Sequence, residues 1–213
     1  MQKKPSEWVS IADLMSGVMA VVMLLLVISV LQQTYAEIKH KQEVANGQKG
    51  QQQKMIATLT AIKSEVAQQG GNDLIDFNID QGKITLKDNV FARGSACITP
   101  QAAQAFTNIQ DKISAFLKSS NSTGIFVEGH TDNIPVSQPV TDYQRFCTVY
   151  DDNYTLSAAR AREARKLLVG KLDEITAKRV IVAGYGDSQP IEGISPEDPS
   201  NRRVVVRFAI NPN

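Results

Sequence analysis

The sequence has few of the residues that build metal or nucleic-acid sites. It contains two histidines and two cysteines among 213 residues, and no CxxC pair, so no metal-binding spacing is present. Lysine and arginine number 23 against 22 acidic residues, which gives a net charge of +1. Because nucleic-acid binding depends on an excess of basic residues, this balance argues against a nucleic-acid partner.

The two cysteines, Cys97 and Cys147, form an even pair on the C-terminal side of the chain. In an oxidising compartment such a pair can form a disulfide. The alternative is two unrelated buried thiols, and composition alone does not decide between them.

A single apolar run, residues 11–31, is long enough to cross a membrane. Residues 14–31 contain no ionisable side chain, and about 20 apolar residues in a helix match a hydrocarbon core of roughly 30 Å. The run continues through bulky residues without a small-x-small cleavage site, so it indicates an uncleaved anchor. Lysines flank the run on both sides. We place the tail, residues 1–10, in the cytoplasm because the C-terminal region has an extracytoplasmic character.

Asp13 puts a carboxylate one turn inside this run. Acids within a membrane are costly and often belong to proton or ion relays. The alternative is that Asp13 caps the helix at the headgroup boundary, beside the positive end of the helix dipole. The other residues on its face are small: Ser16, Gly17 and Ala20. Because small residues allow another helix to pack closely, we expect Asp13 to face a protein partner.

Residues 32–71 are rich in glutamine and glycine, lack proline, and are predicted to be a helical connector interrupted at Gly47 and Gly50. Two stretches have apolar residues at spacings of three and four: Leu31, Tyr35 and Ile38, and then Met55, Leu59, Ile62 and Val66. This spacing predicts a parallel coiled coil and therefore a dimer. The alternative is a single amphipathic helix that lies on the membrane or on its own C-terminal domain.

Residues 72–213 alternate between strand and helix patterns. Strands are predicted at 74–79, 83–88, 124–129, 180–184 and 203–210. One helix is predicted to begin at Thr99 and Pro100, with apolar residues at 103, 106, 109, 113 and 116, and another covers 156–169. The order predicts an α+β domain in which helices cover a mixed sheet.

Four motifs occur in order in this region: VEGHTD at 127–132, NYTLSAARA at 153–161, AGYGDSQP at 183–190 and NRRVVVRF at 201–208. Together with Phe91 and the GSA triplet at 94–96, they resemble the OmpA-like peptidoglycan-binding domain over nearly all of the C-terminal region. The resemblance implies a cleft that grips the zwitterionic end of diaminopimelate in a cell-wall peptide.

By motif position, the resemblance implies that Asp132 takes the ammonium group of the ligand and Arg160 takes the carboxylate. An Asp–Arg pair offers an acceptor and a bidentate donor to a ligand with both charges. Four further residues are implied to line or flank the same cleft: Thr131, Asn153, Leu156 and Arg203. The alternative is that Asp132 and Arg160 form an internal salt bridge and bind nothing.

The chain departs from this family pattern in the long stretch 133–152, which contains Cys147, whereas Cys97 follows the GSA triplet. Both cysteines then flank surface elements of one domain, so we expect an intradomain disulfide, with an intersubunit bond as the alternative. Cys97 or Ser157 with His130 and an acid would make a nucleophile and base. Because His130 belongs to the GHTD motif, we predict no catalytic site, no cofactor and no metal.

The sequence WVSIADLMSGVM, residues 8–19, resembles the signature of MotB, the B subunit of ion-driven rotary motors. In that family the acid after the aromatic residue carries the ion, and Asp13 occupies this position. The resemblance implies a homodimer within a ring of a multi-span A subunit in the bacterial inner membrane. It also implies a periplasmic domain anchored to peptidoglycan, and a transported proton or sodium ion.

Within this superfamily, SIADLMSG at 10–17 is most similar to ZorB of the Zorya anti-phage defence system. The first alternative is a flagellar stator B subunit, which shares every feature described so far. The second is a passive cell-wall tether that conducts no ions, for which an acid in the membrane span has no use.

Overall fold

The computed structural model describes residues 7–68, 70–107 and 109–210 and divides into two compact units, Met1–Gly50 and Gln51–Asn213. The first helix, α1, is Glu7–Gln68 and contains both Gly47 and Gly50. The predicted interruption at these glycines is therefore wrong. A glycine costs a helix only about 1 kcal/mol relative to alanine, and the neighbouring Gln, Lys and Ala residues favour helix.

In the first unit, α1 carries the apolar run. Within the described residues one helix is long and apolar enough to cross a membrane, and its most apolar stretch has a mean hydropathy of 2.8. Every residue from 14 to 31 is exposed, so no described part of the chain covers this surface. A helix that is apolar on all sides and not covered by other residues is suited to contact with lipid or with a neighbouring apolar helix.

The second unit contains a five-stranded mixed sheet in the order β1-β2-β5-β3-β4. Its strands are β1 (Ile75–Asn78), β2 (Lys83–Lys87), β3 (Thr123–His130), β4 (Val180–Gly184) and β5 (Arg203–Ile210). The β3–β4 pair is parallel and the other pairs are antiparallel. The predicted α+β class with a mixed sheet is confirmed, and each observed strand lies within two residues of its prediction.

The remaining helices are α2 (Pro100–Thr107), α3 (Gln110–Lys118), α4 (Tyr143–Phe146), α5 (Asn153–Val169) and α6 (Glu174–Ala177). The single helix expected after Thr99 is thus divided into α2 and α3. Helix α5 begins three residues earlier than predicted, because the Asp152 side chain accepts a hydrogen bond of 2.6 Å from the Thr155 N–H and caps the helix.

Two glycines set the distance between α5 and the sheet. A side chain at Gly129 on β3 would collide with the backbone carbonyl of Ser157, and one at Gly184 on β4 would come within 2.6 Å of the Ala158 side chain. Only residues without a Cβ allow the α5 backbone to approach this closely. The glycines of the GHTD and AGYG motifs therefore place α5, and with it Arg160, against the sheet.

The second apolar seam of the connector belongs to the core of this unit. The side chains of Met55, Leu59, Ile62 and Val66 are at most 6% exposed and pack with the sheet and with α2, α3 and α5. Polar contacts hold the same segment, including an ion pair of 2.7 Å between Glu65 and Lys112. The C-terminal unit thus begins at Gln51, not at residue 72 as predicted, and this seam lies on its own domain instead of in a coiled coil.

Cys97 and Cys147 are joined by a disulfide within one chain, with their Cα atoms 5.0 Å apart. The bond ties the loop after Phe91 to α4. The same two segments also share backbone contacts, since Ala96 N and Ser95 Oγ both donate to the Phe146 carbonyl at 3.0 and 2.9 Å. The disulfide therefore fixes the loop that carries the GSA triplet.

Candidate functional site

A cleft of about 1040 Å³ lies in the second unit between the β1–β2 hairpin, the loop after β3, the start of α5 and the segment before β5. We call it the charged cleft. Its charged lining residues are Asp76, Lys87, Asp88, Arg93, Asp132, Arg160, Arg202 and Arg203. Apolar and neutral residues complete the walls, among them Phe91, Ile134, Val140, Tyr150, Asn153 and Leu156.

Asp132 enters the charged cleft from the loop that follows β3. It is 6% exposed, and its Oδ2 accepts a hydrogen bond of 2.7 Å from Nη1 of Arg202. Asn153, at the start of α5, fixes the loop by donating from Nδ2 to the carbonyls of Asp132 and Ile134 at 3.2 and 3.0 Å. The role of Asn153 in this structure is therefore to position the backbone that carries Asp132.

Arg160 enters the same cleft from α5. Its side chain is almost fully buried, its Nε donates to the Ser95 carbonyl at 3.0 Å, and its guanidinium lies 5.3 Å from the centre of the Phe91 ring. Burial lowers the pKa of Arg160, and the neighbouring Asp88 carboxylate opposes that shift. An arginine stays protonated in proteins, so the cleft holds a fixed and poorly hydrated cation.

The charged groups form a ladder in the order Asp132, Arg202, Asp88 and Arg160. Arg202 bonds Asp132 at 2.7 Å and Asp88 at 3.0 Å, and Asp88 Oδ1 lies 3.1 Å from Arg160 Nη1. Among the described residues Asp132 and Arg160 are thus connected through two others, and they do not form the direct internal salt bridge that the sequence left open.

The contact between Asp88 and Arg160 is incomplete. Asp88 Oδ1 and Arg160 Nη1 are close enough for an ion pair, yet both atoms are buried and neither has a well-oriented hydrogen-bond partner among the described residues. A buried polar atom without a hydrogen bond costs about 1–3 kcal/mol. The Nη1 donor of Arg160 is therefore unsatisfied within the lining of the cleft.

Sequence reasoning missed Asp88 and Arg202. Asp88 follows β2 directly and opens a short 3₁₀ turn, Asp88–Val90, whereas Arg202 precedes β5. The NRR motif includes Arg202, but the prediction named only the next residue, Arg203, as a cleft residue. Nothing in the sequence pairs Asp88 with Arg202, because 114 residues separate them.

The other predicted residues occupy different places. Leu156 and Arg203 line the charged cleft, and the Arg203 guanidinium donates to the carbonyls of Asn201 and Gln189 at 3.3 and 3.1 Å. Thr131 is buried and is not among the lining residues. Its N–H donates to the Gly186 carbonyl at 2.8 Å, while its Oγ1 has no hydrogen-bond partner among the described residues.

The residues considered for catalysis are held in structural contacts. Burial and the charge of Arg203 lower the pKa of His130 to about 4, so this imidazole is neutral at pH 7, and it stacks on Tyr185 at 5.3 Å. Cys97 is in the disulfide, and Ser157 Oγ donates to the Tyr154 carbonyl and accepts from the Gly186 N–H. In the described part of the chain, no group of three or more His, Cys, Asp or Glu residues is placed to hold a metal ion.

The residue on which the membrane hypothesis depends, Asp13, lies within α1, but its side chain is outside the described residues. Its predicted face is partly described. Gly17 has no atom within 4 Å of the position a side chain would take, and Ala20 is exposed. This stripe is therefore open to a neighbouring helix.

The OmpA family model matches residues 90–203, a segment that contains the predicted cleft residues and both cysteines. A MotB-like protein from Desulfovibrio vulgaris has 20% sequence identity and a TM-score of 0.56, and the match covers 76% of this chain and 98% of that one. The cell wall anchor of the T6SS from Pseudomonas aeruginosa has 22% identity and a TM-score of 0.50, covering 70% and 96%. No curated protein matches the sequence. At these identities the two structural matches establish a shared fold.

Proposed function

The chain belongs to the OmpA family, and we propose that its charged cleft binds the diaminopimelate end of a peptidoglycan peptide. One observation carries this proposal. Asp132 and Arg160, which come from the loop after β3 and from α5, form the two ends of one charge ladder in one cleft. A zwitterionic ligand needs an acid and a guanidinium at a fixed separation, and the ladder provides both.

The ladder also explains how a ligand enters without leaving charges unpaired. The inner pair, Arg202 and Asp88, is bonded at 3.0 Å and connects the two ends of the ladder. A ligand ammonium group binds Asp132, whose side chain is bonded to Arg202 alone among the described residues, and a ligand carboxylate binds Arg160. Binding therefore adds charge-assisted hydrogen bonds while the central ion pair remains.

We further propose that the chain is the B subunit of an ion-driven motor of the bacterial inner membrane, with residues 1–10 in the cytoplasm and the C-terminal unit in the periplasm. The OmpA-family fold and the exposed apolar helix support a membrane protein anchored to the cell wall. The acid at position 13, on a face of small residues, supports ion transport past a ring of multi-span A subunits.

A homodimer is part of the same proposal. The first apolar seam supports it, since Leu31, Tyr35 and Ile38 are 63%, 72% and 51% exposed on α1. The second seam lies in the core of the C-terminal unit, so a coiled coil is proposed around residues 31–38 alone. Residues 10–17 favour a Zorya-type defence motor over a flagellar stator. Neighbouring genes separate the two: nuclease or helicase partners indicate defence, and flagellar genes indicate motility.

The test of the motor is Asp13→Asn. The amide keeps the size and hydrogen bonding of the side chain but removes its charge switch. We expect the A subunit to co-purify at the wild-type level while phage protection, or swimming, falls to that of the deletion strain. Asp13→Glu retains a carboxylate and should give partial activity. Glu43→Gln makes the same acid-to-amide change on an exposed part of α1 outside the proposed coiled coil and should leave the output unchanged.

Full activity of Asp13→Asn would exclude ion transport by this residue and leave the passive tether. Loss of A-subunit co-purification would show instead that the Asp13 carboxylate is needed for assembly of the complex, and such a result would not support the proposed ion carrier.

A further inference from the structure

The charged cleft carries more positive than negative side chains. Its lining contains five basic residues, Lys87, Arg93, Arg160, Arg202 and Arg203, against three acidic ones, Asp76, Asp88 and Asp132. The excess is two positive charges, although the whole chain is nearly neutral at +1. A cleft with this local excess is complementary to a ligand with two more negative than positive groups.

Most of the cationic groups already have acidic partners. Lys87 pairs with Asp76 at 3.1 Å, and the charge ladder accounts for Arg160 and Arg202. Arg203 donates only to backbone carbonyls among its described contacts. Arg93 is exposed and has no hydrogen bond or ion pair among the described residues, so it is the cleft cation with a fully available guanidinium.

The backbone on both sides of Arg93 is held next to Arg160. Phe91 lies under the Arg160 guanidinium, and the Ser95 carbonyl accepts from Arg160 Nε. Between them, the Gly94 carbonyl accepts a hydrogen bond of 2.6 Å from the Tyr150 hydroxyl. The disulfide from Cys97 ties the end of the same loop to α4. Arg93 thus projects from a loop whose position is fixed relative to the Arg160 guanidinium.

We propose that Arg93 forms a second anion subsite of the charged cleft and takes the free carboxylate of the residue adjacent to diaminopimelate in the peptide. This inference rests on the proposed binding of diaminopimelate at Asp132 and Arg160. Two carboxylates of one peptide can each bind an arginine here, because Arg160 lies on α5 and Arg93 lies on the loop that packs against it. A muramyl tripeptide, with three carboxylates and one ammonium group, has the net charge of −2 that the lining complements.

The experiment uses full-length protein in detergent and two soluble muramyl tripeptides that both contain diaminopimelate. One has a free α-carboxylate on the preceding D-glutamate and the other has an amide there. Isothermal titration of the wild type should show binding of the carboxylate form about fivefold tighter than the amide form, as expected for one exposed charge pair. Arg93→Gln should bind the two peptides equally, with the affinity that the wild type has for the amide. Lys63→Gln removes an exposed cation outside the cleft and should behave as wild type.

Two results overturn the subsite while leaving the proposed function in place. In the first, the wild type binds both peptides equally well. In the second, Arg93→Gln weakens both peptides by the same factor, which would mean that it acts through the loop and not on a carboxylate. If the wild type binds neither peptide, the proposed function fails and the subsite fails with it.

Discussion

Asp132→Asn and Arg160→Lys should each lower the affinity of the full-length protein for diaminopimelate-containing sacculi by about 10- to 100-fold, as measured by co-sedimentation. This range follows because a hydrogen bond to a charged group is worth about 1.5–3 kcal/mol. The asparagine keeps the shape of Asp132 but no longer pairs with the ligand ammonium. The lysine keeps the charge of Arg160 but lacks the planar donor pair that binds a carboxylate through two hydrogen bonds.

The control for these variants is Asp80→Asn, which makes the same change on an exposed residue of the β1–β2 turn, outside the charged cleft. Thermal unfolding should confirm that all three proteins are folded, since Arg160 is buried and its replacement also disturbs the contacts with Asp88 and Ser95. Folded Asp132 and Arg160 variants that sediment like wild type would show that these side chains do not bind the wall.

Removing residues 51–71 should destabilise the C-terminal unit by several kcal/mol or prevent it from folding. Four apolar side chains of α1 are buried against this unit, and each contributes about 1.5–3 kcal/mol on full burial as an upper estimate. Their sum is comparable with the whole stability of a typical domain, about 5–15 kcal/mol. We therefore expect a fragment of residues 51–213 to unfold cooperatively in urea. A fragment of residues 72–213 should either unfold at a much lower urea concentration or show no cooperative transition because it is already unfolded.

Point variants separate packing from chain length. Leu59→Ala in the longer fragment removes a side chain with no exposed surface and should cost about 2–5 kcal/mol. Ile56→Ala, on the exposed side of the same turn with 37% of its surface accessible, should cost clearly less. Equal urea midpoints for the two fragments would show that α1 adds nothing to this unit.

Local patterns were enough to predict the sheet. Alternating apolar residues, such as those in 83–88, gave strands that match β2 and its neighbours because alternation follows directly from the geometry of a half-buried strand. The apolar seam at Met55 to Val66 was a different case. A spacing of three and four residues is the same for a coiled coil and for a helix packed on a sheet, so periodicity does not name the surface that covers it.

The candidate site was partly predictable for a similar reason. Ordered motifs pointed to Asp132 and Arg160, which the fold brings into one cleft. The inner members of the ladder, Asp88 and Arg202, depend on a contact between the end of β2 and the start of β5, and no sequence spacing encodes that contact. Thr131, adjacent to Asp132, is buried and does not line the cleft, and both residues lie in the loop after β3, where no side-chain alternation predicts which of them faces the cleft.

The charged cleft should recognise both charges at the end of diaminopimelate. Lysine-type peptidoglycan peptides carry the same ammonium group but lack the second carboxylate, so they test the role of Arg160 without any change to the protein. In isothermal titration, full-length wild-type protein should bind a muramyl tripeptide with diaminopimelate at least about tenfold more tightly than the matched lysine tripeptide. Equal affinity for the two peptides, or tighter binding of the lysine form, would show that the cleft does not recognise the second carboxylate.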